Sequence, residues 1–273
     1  VMLPAKALWS NVQFGYEKLG KCLKAGDCIV SMLPMAHMYG MMFELIYPLC
    51  GGSSIYYLGK TPTPALLLGA MAEVKPYLVI TVPLVMEKIF KSKVAPVINK
   101  PVMKAICAIP GLNQVIFKKI RTQLLNAFGG NVREIVMGGA ALNPDVEKWF
   151  RKFKLPFTVG YGMTEAAPVI CAENKNEMSN GSIGKSLPGV EVRIDNPNED
   201  GIGELIARGP NVMAGYFENQ EDTDKTIIDG WLHTGDLAYE KNGFAFICGR
   251  KKNVIVLKNG KNVYPEEIEV LIS

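Results

Sequence analysis

Leu155-Pro156-Phe157-Thr158-Val159-Gly160-Tyr161-Gly162-Met163-Thr164-Glu165 reads as a strand running into a chemically loaded turn. Seven residues hold an aromatic face, two side-chain-free stretches of backbone, a hydroxyl and a carboxylate. An aromatic ring can stack on a flat base, glycine lets a phosphate or sugar reach the main chain, and a Thr/Glu pair can hold Mg²⁺. Taken alone, the same residues also make a plain tight turn with a solvated glutamate. Two later segments favour a site. Trp231-Leu232-His233-Thr234-Gly235-Asp236 follows about 70 residues on, and Gly249-Arg250-Lys251-Lys252 about 14 after that.

Working outward, the first half alternates helical and strand-like patterns. Residues 5–19 carry apolar positions at helical spacing, 27–33 read as a buried strand, and 44–49 as helix. Residues 54–58 read as strand, 64–74 as a helix opened by proline, 77–82 as strand, and 132–137 as strand before a helix at 144–153 capped by Asn143. Strands separated by helices predict βαβ units and an α/β fold built on a mainly parallel sheet with flanking helices. Residues 91–119, rich in Pro and Lys, are expected to form helices over a variable lid. From 183 to 247 short β-type runs alternate with Gly, Pro, Asn and Asp, and Asn242-Gly243 is a hairpin signal. This predicts a small antiparallel β-barrel or sandwich. Residues 253–264 read as a further hairpin around Asn259-Gly260, with Pro265 opening a helix. The expected domains are therefore 1–182 (α/β), 183–249 (small barrel) and 250–273 (hinge and the start of a C-terminal α+β domain).

Composition narrows the class. With 273 residues and 48% hydrophobic content the chain can bury a sizeable core. A net charge of +4 does not point to nucleic acid, and Lys118-Lys119 and Lys251-Lys252 read as solvated faces. Six cysteines without C-x-x-C spacing suggest neither zinc nor a disulfide framework, and reduced thiols suit the cytoplasm. The apolar runs near 65–72 and 77–86 fall short of the roughly 18 residues of a membrane span. Gly184-Lys185-Ser186 imitates the end of a P-loop, but Ser179 stands where the first glycine is required, so it is rejected as a nucleotide loop.

Together the three segments resemble the acyl-adenylate-forming (AMP-binding) enzymes: acyl-CoA synthetases, peptide-synthetase adenylation domains and beetle luciferases. Leu33-Pro34-Met35-Ala36-His37-Met38-Tyr39-Gly40, Gly138-Gly139-Ala140-Ala141, Gly203-Glu204-Leu205 with Gly215-Tyr216, and Tyr264-Pro265-Glu266-Glu267 extend the resemblance over nearly the whole chain. The last of these is most similar to bacterial long-chain fatty-acid–CoA ligases. The resemblance implies a central fragment, with a Gly/Ser/Thr-rich phosphate loop upstream of Val1 and a lysine beyond Ser273, and negligible ligase activity for these residues alone. It implies ATP/AMP, Mg²⁺ and coenzyme A as ligands and a fatty acid as substrate.

The resemblance also implies residue roles. Tyr161 would stack on adenine, with Gly160 and Gly162 beside it and Gly138, Gly139 and Ala140 as the facing wall. Thr164 would contact phosphate and Glu165 hold Mg²⁺. Asp236 and Arg250 would grip the ribose, Lys252 would be a hinge, Gly260 would line the pantetheine channel, and His37 would gate the acid pocket. For His37, a packed and satisfied histidine is the competing reading. A lipid-handling enzyme is compatible with peripheral membrane contact, and an exposed sheet edge with dimerisation. An aryl-CoA ligase, an amino-acid adenylation domain or a non-catalytic nucleotide-binding module remain alternatives, though no acidic residue at 137–142 offers itself to an amino group.

Overall fold

The computed structural model describes residues 1–19, 23–60, 62–109, 111–173, 179–256 and 262–265. Two compact units divide the chain, one formed by Gly15–Val159 and the other by Val1–Phe14 with Gly160–Ser273.

In the unit Gly15–Val159, β1 (Cys28–Ser31) pairs parallel with β2 (Ser54–Tyr57). β3 (Leu78–Thr81) pairs parallel with β4 (Glu134–Met137), and β4 pairs parallel with the first residues of β5 (Phe157–Gly162). The Tyr77 amide donates to the Cys28 carbonyl, 3.2 Å away, and ties the start of β3 to β1. Every residue of β3 and β4 is buried, as expected where helices cover both faces of a parallel sheet. The helices start where the sequence places caps. Thr63 Oγ1 accepts from the Leu66 amide before Pro64–Val74, and Asn143 Oδ1 accepts from Asp145 and Val146 before Pro144–Lys152. Phe90, Phe150 and Phe157 meet edge to face beneath them, at 5.8 and 6.0 Å between ring centroids. The stretch predicted as a lid is helical over Phe90–Val94, Ala95–Ile98, Pro101–Ala108 and Leu112–Ala127.

One buried charge organises the loop after β1. Glu44, on the π-helical segment Met41–Ile46, is fully buried. Its carboxylate accepts from Ser31 Oγ (3.0 Å), the Met32 amide (3.0 Å) and the Leu33 amide (2.9 Å), donors that β1 leaves unpaired as it ends. Burial raises the carboxyl from 4.5 to about 7 despite those donors. Between these two values the folded chain holds a proton that the unfolded chain releases, so stability falls as pH rises through that window. The loss is on the order of 3 kcal/mol. Urea midpoints from pH 4.5 to 8 should show this decline, and Glu44→Gln should flatten it. An identical slope in the variant would assign the titration elsewhere.

The other unit is mainly antiparallel. Gly160–Gly162 of β5 pair antiparallel with β6 (Val169–Ala172), which pairs with β7 (Lys185–Ser186). The rejected P-loop imitation therefore leads into a short strand and does not join a strand to a helix. β8 (Glu191–Asp195), β9 (Gly203–Arg208), β10 (Ile227–Ile228), β11 (Trp231–Lys241) and β12 (Phe244–Arg250) form an antiparallel sheet in the order β10-β11-β9-β8, with β12 on β11. Asn242 (φ 55°) and Gly243 (φ 76°) make the tight β11–β12 turn that their pairing predicts. β13 (Ile255–Val256) pairs antiparallel with β14 (Asn262–Val263). The helix Ala5–Phe14 belongs to this unit. Its buried Asn11 donates to the Ala166 carbonyl (3.3 Å) and accepts from the Val169 amide (3.1 Å). Among the described residues no helix is long and apolar enough to cross a membrane.

Candidate functional site

Strand register brings the site together within one unit. In the β11–β12 hairpin the pairing runs Lys241 to Phe244, then shifts by one residue, so that Asp236 lies opposite Arg250. Cys248 is the extra residue of that bulge. Had the ladder run on in register through Cys248, Arg250 would pair with Gly235 and point to the other face, because side chains alternate along a strand. A second irregularity, in the β9–β11 pairing between His233 and Leu237, contains Gly235 at φ 72°. Left-handed backbone of this kind suits glycine, and it breaks the pairing of β11 with β9 just before the buried Asp236.

Three predicted residues meet there. The Tyr161 hydroxyl donates to Asp236 Oδ2 at 2.5 Å, and Arg250 Nε donates to Asp236 Oδ1 at 2.8 Å. Burial first, then the Asp236 charge and the hydrogen bond to it, push the phenol well above its usual range, so it acts as a donor near neutral pH. A carboxylate has about four acceptor positions, and the phenol and guanidinium fix its plane through one on each oxygen. Thr234 supports this from below: its hydroxyl donates to the Leu205 carbonyl (2.6 Å) and accepts from the Asp236 amide (3.1 Å).

Glu204, on β9, is a brace that the sequence reading passed over. Its Oε1 accepts from the Gly235 amide at 2.9 Å, and its Oε2 meets Lys251 Nζ at 2.9 Å and His233 Nδ1 at 3.1 Å. Burial works against ionisation, but Lys251, His233 and the amide outweigh it and hold the carboxyl below its usual value. The signal was present in Gly203-Glu204-Leu205, but the long-range pairing that gives it meaning was not.

Thr164 and Glu165 open a short 3₁₀ turn directly after β5. Glu165 Oε1 accepts from the Tyr216 hydroxyl at 2.8 Å, and the Glu165 carbonyl accepts from the Met213 amide at 2.8 Å. Tyr216 was likewise visible only as part of the Gly215-Tyr216 motif. Among the described residues no three His, Cys, Asp or Glu gather into a metal cage. One carboxylate and one exposed hydroxyl suit a Mg²⁺ that keeps waters and takes its other oxygens from phosphate.

The glycines of β5 differ. A Cβ on Gly162 would lie 1.8 Å from the Pro168 carbonyl oxygen, whereas one on Gly160 would find its nearest atom, the Cys171 oxygen, at 3.9 Å. Gly162 is demanded by the chain itself, and Gly160 leaves an open stretch of backbone.

In the unit Gly15–Val159, Gly138 follows β4 and donates to the Thr81 carbonyl at 3.3 Å, while Gly139 (φ 85°) and Ala140 are exposed. His37 is also exposed. Its Nδ1 accepts from the Tyr39 amide at 3.3 Å and caps the turn Met38–Gly40. Lys252 is exposed in the 3₁₀ turn Lys251–Asn253 that links β12 to β13. Gly260 lies outside the described residues.

The model of the AMP-binding enzyme family matches residues 1–217, and the chain belongs to that family. Among its relatives is the long-chain-fatty-acid–CoA ligase FadD15 of Mycobacterium bovis, 32% identical over 272 residues, covering 90% of this chain and 43% of that protein. Long chain acyl-CoA synthetase 5 of Arabidopsis thaliana is 30% identical over 282 residues, covering 92% and 41%. The chain thus spans about two fifths of these relatives' length. Among solved structures, ATP-bound MatB from Rhodopseudomonas palustris superimposes with a TM-score of 0.76 at 25% identity, over 98% of this chain and 48% of that one. O-succinylbenzoate coenzyme A synthetase (MenE) from Bacillus subtilis, in complex with ATP and magnesium ion, shares the fold with a TM-score of 0.76 at 22% identity, over 99% and 50%.

Proposed function

We propose that this chain carries the nucleotide grip of an AMP-forming ligase that activates a carboxylic acid, most simply a long-chain fatty acid, and passes it to coenzyme A. The observation that carries this reading is the convergence of Tyr161 and Arg250 on the two oxygens of Asp236. A ribose presents a vicinal diol, and a carboxylate held in a fixed plane accepts from both hydroxyls at once. Arg250 donates to the same sugar with a fork that lysine does not offer. The ring of Tyr161 stacks on adenine, and Gly160 gives the base access to bare backbone.

The reaction has two steps. A carboxylate oxygen attacks the α-phosphorus of ATP, the bond to the β-phosphate bridging oxygen breaks, and pyrophosphate leaves. The thiolate of coenzyme A then attacks the acyl carbon, and AMP leaves with the carbon–oxygen bond pair. Thr164 holds phosphate oxygen, and Glu165, steadied by Tyr216, would hold a Mg²⁺ that, when bound, would offset negative charge on the pyrophosphate. No side-chain nucleophile is needed, and catalysis is positioning and charge stabilisation.

The turn carrying Lys252 serves as the hinge between the two steps, Gly260 lines the thiol channel of the second, and His37 gates the acid. On this reading 1–182, 183–249 and 250–273 are the functional divisions of the chain, the middle one a small barrel. Relatives named as long-chain ligases support the choice of a fatty acid.

The test is an acid panel with ATP, Mg²⁺ and coenzyme A, following AMP release. AMP release with palmitate should exceed release with acetate or benzoate by at least about tenfold, the factor that roughly 1.4 kcal/mol of acyl-chain burial provides. Preference for benzoate would overturn the substrate and spare the mechanism. Release of ADP would overturn both.

A further inference from the structure

Asp236 sits where the main-chain ladder is interrupted. His233 pairs with Ile206 and Leu237 with Glu204, so Thr234, Gly235 and Asp236 together face the single residue Leu205. On the other side of β11, Asp236 and Arg250 form the last pair of the hairpin, and the register shifts just beyond it, between Leu237 and Ala238. Irregularities on both sides of one strand loosen the regular pairing that would otherwise fix its backbone. Side chains have to hold this stretch instead.

One carboxylate reaches both halves of the Asp236–Arg250 pair. Glu204 Oε1 accepts from the Gly235 amide at 2.9 Å, and its Oε2 meets Lys251 Nζ at 2.9 Å. Gly235 immediately precedes Asp236, and Lys251 immediately follows Arg250. A single side chain on β9 therefore ties the backbone beside the acid to the side chain beside the arginine. Lys251 reads in the sequence as part of a solvated basic turn, and 64% of its side chain is indeed exposed. Its contact is nonetheless selective. Asp195, opposite Glu204 on β8, borders the same cavity as Lys251 and offers a second carboxylate. The ammonium meets the one that also holds Gly235.

We propose that Glu204 and Lys251 are positioning residues for ribose recognition. Their ion pair holds the Gly235–Asp236 backbone against the Arg250 end of β12, and so sets the plane in which the Asp236 carboxylate meets a vicinal diol. The inference rests on the reading of Asp236 as the ribose acceptor. Both residues act through Asp236 and Arg250 and make no contact with the nucleotide themselves. Lys251 also opens the turn Lys251–Asn253. Displacing that turn breaks the pair and loosens the sugar, and by linkage a bound sugar resists the displacement.

The test is isothermal titration of this chain with AMP and with 2′,3′-dideoxy-AMP, which keeps the base and phosphate but lacks the diol. The parent should prefer AMP by about a hundredfold, the scale of two hydrogen bonds to a charged group. Glu204→Gln should cut that preference roughly tenfold, and Lys251→Met about threefold, as suits a pair with one exposed partner. Combining the two should cost no more than Glu204→Gln alone, because they remove one shared interaction. Lys251→Arg keeps the cation and should restore the parent's preference. Affinity for dideoxy-AMP should stay at the parent's level throughout.

Equal loss of both nucleotides would overturn the proposal, since a general weakening of the sheet does not distinguish them. An unchanged preference in Lys251→Met, with Asp236→Ala abolishing it, would also overturn the proposal and leave the ribose reading standing. A parent that binds both nucleotides alike would remove that reading and this inference with it. Because Lys251 is largely exposed, its two variants decide the matter even if Glu204→Gln melts early.

Discussion

Asp236→Ala is expected to weaken AMP binding to this chain by about a hundredfold or more. A hydrogen bond to a charged group is worth roughly 1.5–3 kcal/mol, and the carboxylate is read as accepting one from each ribose hydroxyl. The substitution also strips Arg250 Nε and the Tyr161 hydroxyl of the acceptors they share. Asp236→Asn keeps the shape and one acceptor oxygen and should fall between, about tenfold down. Isothermal titration separates the three proteins, and melting curves show whether the sheet survives. Binding within twofold of the parent in Asp236→Ala would remove the carboxylate from the site.

Gly162→Ala should be the most damaging small substitution in β5. Its Cβ would sit 1.8 Å from the Pro168 carbonyl oxygen, with the Pro168 carbonyl carbon and Val169 Cα each at 2.8 Å. All three are backbone atoms, so no side chain can swing aside. Relief requires β5 and β6 to part at their bulge, next to the turn that carries Thr164 and Glu165. Overpacking of this kind costs about 3 kcal/mol or more, a fall of roughly 6–12 °C in melting temperature. Gly160→Ala, two residues earlier, has its nearest contact at an ordinary 3.9 Å and should melt with the parent. If Gly160 serves as bare backbone for a ligand, its alanine variant should lose AMP affinity without losing stability. Equal melting of all three proteins would mean that the strand pair yields more easily than its packing indicates.

The contrast also shows what the sequence could and could not convey. Tyr161-Gly162-Met163-Thr164-Glu165 was read as a site, but both glycines look alike until Pro168 is placed against one of them. Local signals were reliable because their physics is local. Thr63 and Asn143 cap the helices they precede, and Asn242-Gly243 turns its hairpin. The Trp231–Lys241 strand was read only as a motif-bearing segment, since Thr234-Gly235-Asp236 in isolation is a loop pattern and the bulges hide the period-two alternation. The pairing of Asp236 with Arg250 depends on a bulge that takes Cys248 out of the ladder, which no propensity reveals. Glu204 and Tyr216 were quoted within motifs, yet their duties arise from partners 31 and 51 residues away. Glu44 gave no signal at all, because an acid in an apolar helix is informative only once the amides it receives are known.

The most direct measurement is a crystal structure of this chain grown with AMP. The account predicts both ribose hydroxyls within hydrogen-bond distance, about 3 Å, of the Asp236 carboxylate, with adenine lying on the ring of Tyr161. Nucleotide density elsewhere, with Tyr161 and Arg250 still closed on Asp236 and no sugar beside them, would contradict it.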